Sequence, residues 1–369
     1  MKILFLTNLP APYKIDFFNE LGKQLNITVL FERSEARNRV DSWLRNNCVE
    51  FSAIFLKGIK IGDEASLCLS MHRFVKKGSY DLYVLNGYSS PTSIYLIFLL
   101  KLLKIPFILS LDGGILKNNV NYFKNKLKKV LIRSAKFYIS SSEQTDQYLK
   151  SFGVDPLDIY RAPFTSLLKK DVLNENLDKH EKKNFKKSIN IKNEYMLLTI
   201  GQFIHRKGID ILLQSIPNTK ADIAVCVVGG TVTEEYKKIV AENSIKNVTF
   251  YEFMSKEELS KYYRAADIFV LATREDVWGL VINEAMGFGL PIISTNKCIG
   301  ALELLNSDEA GFIIPENDFV ELASKINLLL SDTDLRRSMS QNALRKIRNY
   351  TIQDMASSYC SIFHTIRSI

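Results

Sequence analysis

The sequence predicts an α/β protein built from two doubly wound domains in tandem. Three observations support this prediction. The chain has 369 residues, more than one hydrophobic core usually organises. Short apolar segments rich in β-branched residues alternate with segments of helical length. The alternation stops at residues 169–194, which are highly charged, and then starts again. Two parallel sheets, each covered by helices, account for all three observations.

The first half of the chain, residues 1–170, is predicted to form one such domain. Its strands are continuous apolar runs, as expected when both faces of a sheet are buried. They are predicted at residues 2–7, 27–31, 53–56, 82–85, 107–111 and 137–140. Helices between them are predicted at residues 15–25, 67–77, 93–103 and 122–134.

The second half, residues 171–350, repeats the pattern after a segment that we interpret as a linker with one exposed helix (169–194). Strands are predicted at residues 196–200, 223–228, 248–250, 268–271, 292–294 and 311–314. Two capping boxes, Ser255 with Glu258 and Asp318 with Glu321, mark helix starts. Residues 351–369 are amphipathic and follow a complete domain, so we expect them to pack back onto the first one.

Composition excludes several classes of protein. With 46% hydrophobic and 24% charged residues, the chain is neither disordered nor fibrous. The longest uninterrupted apolar run has seven residues, whereas a membrane span needs about 20. The five cysteines are scattered and odd in number, which fits neither a disulfide framework nor a paired metal site. These observations predict a soluble intracellular protein.

Charge is distributed unevenly between the two halves. Residues 1–170 hold 25 Lys and Arg against 14 Asp and Glu, a net charge of +11. The remainder holds 24 against 26, a net charge of −2. This asymmetry predicts that the two halves have different partners.

A first candidate site follows the predicted strand 196–200. Gly201 closes the strand, Arg206 and Lys207 follow, and Gly208 opens a helix. Cations beside a helix N-terminus form a phosphate site, because charge and free backbone amides act together. The alternative is that Arg206 and Lys207 are solvated loop residues.

A second candidate site follows the predicted strand 268–271. A glutamate within the helix that starts near Gly279 can accept hydrogen bonds from ribose hydroxyls, which is the role expected of Glu284. The amides of Gly279 and Leu280 lie where a phosphate would meet the helix N-terminus. The alternative is that Glu284 is an exposed helix residue and that Asp276 caps the helix.

The order of these two patterns resembles the retaining glycosyltransferases of family 4. The first reads GxxxxxKG from Gly201 to Gly208, and the second reads D-x7-E-A-M-x-x-G-x-P from Asp276 to Pro291. The resemblance implies the GT-B fold, in which two Rossmann-like domains face each other across a cleft. It also implies that the C-terminal domain binds a nucleotide-sugar donor and that the N-terminal domain takes the acceptor.

The resemblance also implies roles for single residues. Lys207 matches the lysine that stabilises the donor diphosphate, and Glu284 matches the acid that holds the ribose. Either Asp276 or Glu275 takes the first acidic position, near the transferred sugar. Where the family often has an arginine after the glycine, this chain has Gln202, and Arg206 is expected to supply that charge. The donor-binding set is then Gly201, Gln202, Arg206, Lys207, Phe253, Gly279, Leu280 and Glu284.

On the acceptor side, Asp112 follows the predicted strand 107–111 and precedes a Gly-Gly turn. A carboxylate at a strand end points towards the ligand, so Asp112 is our fourth catalytic candidate, with Lys207, Asp276 and Glu275. The alternative is that Asp112 only stabilises the turn. No metal is expected. Residues 332–334 read Asp-Thr-Asp, but they precede a predicted helix and are expected to cap it.

The basic segment 122–134 interleaves four lysines with apolar residues, as do helices that lie on anionic membranes. The alternative is a helix that packs in the core and has a solvated lysine face.

The predicted function is that of a retaining, hexosyltransferase-type glycosyltransferase acting in cell-surface glycan assembly. Its expected partners are a nucleotide-diphosphate sugar, a glycan or lipid-linked acceptor and an anionic membrane surface. It is expected in the cytoplasm, on the inner face of the membrane, and without a cofactor. Two alternatives are a GT-B-fold sugar-nucleotide epimerase and a non-enzymatic protein that binds nucleic acid or other anions. Nucleic acid is not an expected partner, because the sequence contains no nucleic-acid-binding module.

Overall fold

The computed structural model describes residues 1–33, 48–61, 65–116, 121–305 and 309–368. The chain divides into two compact units. The N-unit comprises Met1–Leu168 together with Tyr350–Ile369, and the C-unit comprises Lys169–Asn349. The sequence places the corresponding boundaries after residues 170 and 350.

The N-unit alternates strands and helices along its chain. Its strands are β1 (Lys2–Thr7), β2 (Asn26–Phe31), β3 (Ser52–Phe55), β4 (Ile59–Ile61), β5 (Ala65–Leu67), β6 (Leu82–Asn86), β7 (Ile108–Leu111), β8 (Phe137–Ser140) and β9 (Ile159–Arg161). Its helices up to residue 168 are α1 (Pro12–Gly22), α2 (Pro91–Leu102), α3 (Tyr122–Ile132) and α4 (Glu143–Ser151), with 3-10 helices at Leu69–Phe74 and Pro156–Asp158.

Seven of these strands form one parallel sheet in the order β3-β2-β1-β6-β7-β8-β9. The chain runs outward from β1 in one direction and then returns to β6 on its other side. This reversal creates a switch point, where the carboxyl ends of β1 and β6 diverge. Helices α2 and α4 and the end of α3 share one core on one face of the sheet.

The helix predicted at residues 67–77 is wrong. Leu67 is the last residue of β5, which pairs antiparallel with β4, and the chain then forms the 3-10 helix Leu69–Phe74. The amide of Cys68 donates to Thr92 Oγ1 at 3.0 Å, so it is bonded to α2. Hydrogen bonds to β4 and to Thr92 thus take the place of the hydrogen bonds that an α-helix would form within this segment.

The C-unit repeats the architecture. Its strands are β10 (Tyr195–Ile200), β11 (Ile223–Val228), β12 (Val248–Tyr251), β13 (Ile268–Leu271), β14 (Ile292–Thr295) and β15 (Gly311–Ile314). Its helices are α5 (Lys179–Ser188), α6 (Ile209–Ser215), α7 (Glu234–Glu242), α8 (Lys256–Ala265), α9 (Leu280–Gly287), α10 (Ile299–Leu304), α11 (Phe319–Ser331) and α12 (Thr333–Ile347), with 3-10 helices at Lys169–Asp171, His205–Lys207 and Ile216–Asn218. The sheet is parallel, in the order β12-β11-β10-β13-β14-β15.

The linker predicted at residues 169–194 is wrong, because this segment is part of the C-unit. Its helix α5 packs against α8. Lys186 is buried, and its Nζ lies 2.6 Å from Asp267 Oδ2. The charges that suggested a linker therefore include a cation with a distant buried partner.

The last helix, α13 (Ile352–Ser368), belongs to the N-unit and packs on α1. The ring of Tyr359 meets Phe17 edge-on at 4.9 Å, and that of Phe363 meets Phe5 at 6.0 Å. Among the described residues, no helix is both long and apolar enough to span a membrane.

Candidate active site

The two sequence patterns of the C-unit lie at neighbouring strand ends. Strand β10 leads through the 3-10 helix His205–Lys207 into α6, and β13 leads into α9. Because β10 and β13 pair side by side at the switch point of the sheet, their carboxyl ends are adjacent. Ligands of open α/β sheets bind at this position.

Lys207 and Asp276 form an ion pair between these two segments. The lysine Nζ donates to Asp276 Oδ2, and the two side chains are only 14% and 11% exposed. The methylene chain of Lys207 passes Gly201, where an added Cβ would lie 3.4 Å from the lysine Cδ. Gly201 therefore lies in van der Waals range of the Lys207 side chain.

Arg206 reinforces the same junction. Its Nη1 donates to the Glu275 carbonyl oxygen at 2.6 Å and lies 3.8 Å from Asp276 Oδ1. The arginine side chain is 41% exposed, so part of its guanidinium remains accessible. Asp276 is thus the acid whose carboxylate faces both cations, whereas Glu275 contributes its backbone oxygen to Arg206.

A second ion pair, which the sequence analysis did not identify, supports the first. Arg274 contacts both carboxylate oxygens of Asp210, with Nη1 to Oδ1 at 2.8 Å and Nη2 to Oδ2 at 2.5 Å. The same guanidinium donates to the His205 carbonyl oxygen at 2.7 Å, and the Arg274 backbone amide donates to the Arg206 carbonyl oxygen at 2.8 Å. Arg274 therefore fastens the cation-bearing loop to the acid-bearing loop. Its position two residues before Asp276 was the available signal.

Gly208 allows the two loops to approach this closely. Its φ is +64°, and an added Cβ would lie 1.8 Å from the Ala272 carbonyl oxygen at the end of β13. A side chain here would meet backbone that cannot easily move, so glycine is required.

Helix α9 begins after Gly279, which is left-handed with φ +84°. Just before it, Trp278 is buried, and its Nε1 donates to Asn283 Oδ1 at 2.8 Å. Asp276 lies earlier, where its amide donates to the Lys297 carbonyl at 2.9 Å. The interpretation of Asp276 as the helix cap is therefore wrong. Gly279 and Leu280 stand at the helix N-terminus, as predicted.

Glu284 is held from α8. Tyr263 donates its hydroxyl to Glu284 Oε2 at 2.9 Å, and its ring stacks on Phe288 at 5.0 Å. Burial, followed by the charge of Glu284, raises the pKa of Tyr263 well above its ordinary value, so its proton stays available for this bond. Glu284 is half-buried and oriented, unlike a freely exposed helix residue.

The two remaining donor-side candidates lie on the surface. Gln202 is exposed, and its carbonyl accepts a hydrogen bond from the Ile204 amide at 2.9 Å. Phe253 is 56% exposed, and its ring lies 3.8 Å from where a Cβ on Gly230 would stand. Gly230 follows β11, so Phe253 borders the neighbouring strand end.

In the N-unit, Asp112 follows β7, as predicted, and Lys14 is its electrostatic neighbour. Lys14 is buried at the start of α1, where its Nζ donates to Thr7 Oγ1 at 2.8 Å and Asn8 Oδ1 at 2.6 Å. Burial raises the pKa of Asp112, and the charge of Lys14 acts in the opposite direction. No role for Lys14 is predicted from the sequence, although a lysine in the first helical turn after a strand end is a visible signal.

Within the described ranges, no group of three or more His, Cys, Asp or Glu side chains is arranged to hold a metal ion. Asp332, from the Asp-Thr-Asp sequence, caps α12 by accepting from the Leu335 amide at 2.8 Å.

Structural similarity to solved proteins extends over the whole chain. Sucrose-phosphate synthase from Thermosynechococcus elongatus superposes with a TM-score of 0.80 at 17% identity, over 100% of this chain and 99% of that one. HepE from Anabaena, in complex with UDP and glucose, superposes with a TM-score of 0.79 at 17% identity, over 100% of both chains. At this level of identity the likeness shows the fold. The predicted GT-B fold class is confirmed.

Sequence similarity to known glycosyltransferases is found for the C-unit. Residues 181–346 match the family model for glycosyl transferases group 1, which confirms the predicted resemblance to glycosyltransferases for this segment. The capsular polysaccharide biosynthesis glycosyltransferase CapM of Staphylococcus aureus is 28% identical over 165 residues, 43% of this chain and 43% of that protein. The matched segments span about half the length of the curated relatives.

Proposed function

We propose that this protein transfers a sugar from a nucleotide-diphosphate sugar to an acceptor hydroxyl. The observation that carries the proposal is the Lys207–Asp276 ion pair. It joins the loops that follow two adjacent strands, β10 and β13, within the segment that matches glycosyl transferases group 1. The fold is shared with HepE, whose solved structure contains UDP and glucose. Both observations favour a nucleotide-sugar donor.

In this proposal, Lys207 and Arg206 bind the donor diphosphate together with the first amides of α9. An incoming β-phosphate competes with Asp276 for the Lys207 ammonium. Negative charge grows on that phosphate as the sugar leaves, so a cation held nearby lowers the barrier. Glu284, oriented by Tyr263, accepts from the ribose hydroxyls. Asp276 takes the first acidic position, since its carboxylate faces both cations.

Transfer is proposed to retain the anomeric configuration, as the family resemblance implies. The departing phosphate would then help to deprotonate the acceptor on the same face, and no dedicated strong base is assigned. Asp112 is placed on the acceptor side of the reaction. We assign the diphosphate charge to side-chain cations and helix amides, and we expect turnover without an added metal ion.

The acceptor is proposed to be a glycan or a lipid-linked saccharide. CapM, one of the curated relatives, is named for capsular polysaccharide biosynthesis, which favours a role in cell-surface glycan assembly. The proposed location is the cytoplasm, at the inner face of the membrane. The donor is a hexose nucleotide, and UDP-hexoses are the first to test.

The experiment has two stages. A thermal-shift panel of UDP-, GDP- and ADP-sugars first identifies the donor that stabilises the protein. Release of nucleoside diphosphate from that donor is then measured with and without pooled lipid-linked and soluble saccharides. A transferase releases the diphosphate mainly when an acceptor is present. Conversion of the donor into an isomer without any acceptor would support the epimerase alternative and contradict the proposal.

A further inference from the structure

Helix α3 carries an apolar stripe that faces solvent. Phe123, Leu127 and Val130 are 76%, 46% and 41% exposed. Their spacing of four and then three residues places them on one side of the helix. The only buried residues within α3 are Leu131 and Ile132, near its end. The alternative of a core-packed helix is therefore wrong for this stripe.

The opposite side of α3 is the one that holds the helix to the fold. Lys128 points away from the stripe, and its Nζ lies 5.6 Å from the Tyr148 ring centre and 5.7 Å from that of Phe152. Both rings belong to the core on this face of the sheet. The stripe is thus presented outward by contacts on the reverse side of the helix.

Cations border the stripe on both sides. At 100° per residue, Lys124 lies on one flank, and Lys126 and Lys129 lie on the other. The helix contains four lysines and no acidic residue. We call the stripe and these three flanking lysines the α3 face. Its members are Phe123, Lys124, Lys126, Leu127, Lys129 and Val130.

A neighbouring helix extends the apolar character. Helix α2 precedes α3, joins consecutive strands in the same direction, and shares the same core, so both helices cover one face of the sheet. On α2, Phe98 and Leu102 are 47% and 77% exposed and stand one helical turn apart. Exposed apolar residues therefore recur on both helices of this face.

We propose that the α3 face docks the N-unit onto an anionic lipid bilayer. A row of apolar side chains between lysines fits the boundary between acyl chains and headgroups, because the apolar groups insert while the lysines reach the phosphates. A purely polyanionic partner would use the cations and leave Phe123 and Leu127 without a role. The proposal rests on the proposed function, for which it names the surface that meets a lipid-linked acceptor.

The test is sedimentation of the full-length protein with vesicles of phosphatidylcholine, alone or mixed with phosphatidylglycerol. We expect the protein to pellet with the anionic vesicles at low salt and not with the neutral ones. Lys124→Gln/Lys126→Gln/Lys129→Gln is expected to weaken partitioning about a hundredfold, at about fivefold for each lysine. Phe123→Ser/Leu127→Ser is expected to weaken it as well, which purely electrostatic binding does not predict.

Matched controls come from the C-unit, where exposed lysines and an exposed valine can be changed in the same way. Lys183→Gln/Lys187→Gln and Val320→Ser should leave partitioning unchanged. A thermal melt with the donor nucleotide shows that each variant is folded.

Three results would overturn the proposal. The wild-type protein does not pellet with anionic vesicles, or both α3 variants pellet like the wild type, or the protein is a dimer that Phe123→Ser/Leu127→Ser dissociates. The last result would assign the α3 face to a second copy of the chain. Turnover of a soluble acceptor is measured in parallel. If the wild-type protein turns over the soluble acceptor but does not bind anionic vesicles, only this proposal fails. If it binds the vesicles but turns over no acceptor, only the proposed function fails.

Discussion

The two units share one architecture but hold their cations differently. At the strand ends of the C-unit, Lys207 pairs with Asp276 and Arg274 with Asp210, and all four side chains are less than a fifth exposed. On helix α3 of the N-unit, the lysines have no acidic residue on their own helix. Buried cations that are paired with acids suit a site that fixes geometry for chemistry. Exposed cations on a helix without acidic residues suit a surface that meets an anionic partner.

The strand-end acids of the two units differ in the same way. Asp276 directly contacts a cation. Asp112 is subject to the charge of Lys14, whose ammonium donates to the oxygens of Thr7 and Asn8. In the C-unit site the Asp276 carboxylate is therefore paired with the Lys207 ammonium. In the N-unit, burial raises the pKa of the Asp112 carboxyl group.

The largest effect is expected from Lys207→Ala. Loss of the cation that faces the diphosphate should lower kcat by roughly 10²–10³, by analogy with other single-donor deletions at charge-stabilising sites. It also leaves Asp276 without its closest cation, which costs stability. The double variant Lys207→Ala/Asp276→Asn should regain stability and stay slow. Wild-type kcat in Lys207→Ala would contradict the assignment.

Gly208→Ala tests whether the C-unit loops must approach as closely as they do. The left-handed backbone and the contact with the Ala272 carbonyl together should cost about 2–5 kcal/mol in the free energy of unfolding. Gly153→Ala is the matched control, because Gly153 has φ +82° with no atom within 4 Å of the added Cβ. Its cost should be only the backbone term, about 1–2 kcal/mol. Denaturant titration measures both, and equal losses would contradict the packing argument.

Arg274→Lys removes the two-pronged contact with Asp210 while keeping the charge. We expect kcat/KM to fall about tenfold, since the bidentate Arg274–Asp210 contact no longer holds the loops of Lys207 and Asp276 together. Arg345→Lys is the control, because the Arg345–Glu309 pair is 71% and 59% exposed and such pairs contribute little. If both substitutions changed kcat/KM equally, the positioning role of Arg274 would be refuted.

The smallest effect concerns pH. Burial raises the pKa of Asp112, so the folded state binds a proton more tightly than the unfolded state. Stability should then fall as pH rises from the ordinary aspartate value through the raised one. Asp112→Asn removes this fall and should be more stable than the wild type at neutral pH. Unfolding curves across this range check the prediction, and parallel curves for the two proteins would contradict it.

Local pattern was sufficient to predict most strands and both strand-end segments. Buried strands of a parallel sheet are continuous apolar runs, so β1, β8, β11, β13 and β15 lie where the sequence placed them. The glycines at residues 201 and 208 and the start of α9 after Gly279 also follow from local signals.

Contacts between distant residues could not be predicted in this way. Lys186 and Asp267 are 81 residues apart, and their buried pair turned a supposed linker into part of the C-unit. The pairs Lys207–Asp276 and Arg274–Asp210 likewise join segments that only the sheet order brings together. Sequence predicted that each segment would lie at a strand end, and the fold decided which side chains meet.

The most direct test of the central claim is calorimetric titration of the wild type, Lys207→Ala and the exposed-lysine control Lys220→Ala. Each is titrated with the nucleoside diphosphate of the preferred donor and with the corresponding monophosphate. We expect Lys207→Ala to bind the diphosphate about ten- to a hundredfold more weakly and the monophosphate almost normally, with the control unchanged. Equal diphosphate affinity in Lys207→Ala and the wild type would contradict the central claim.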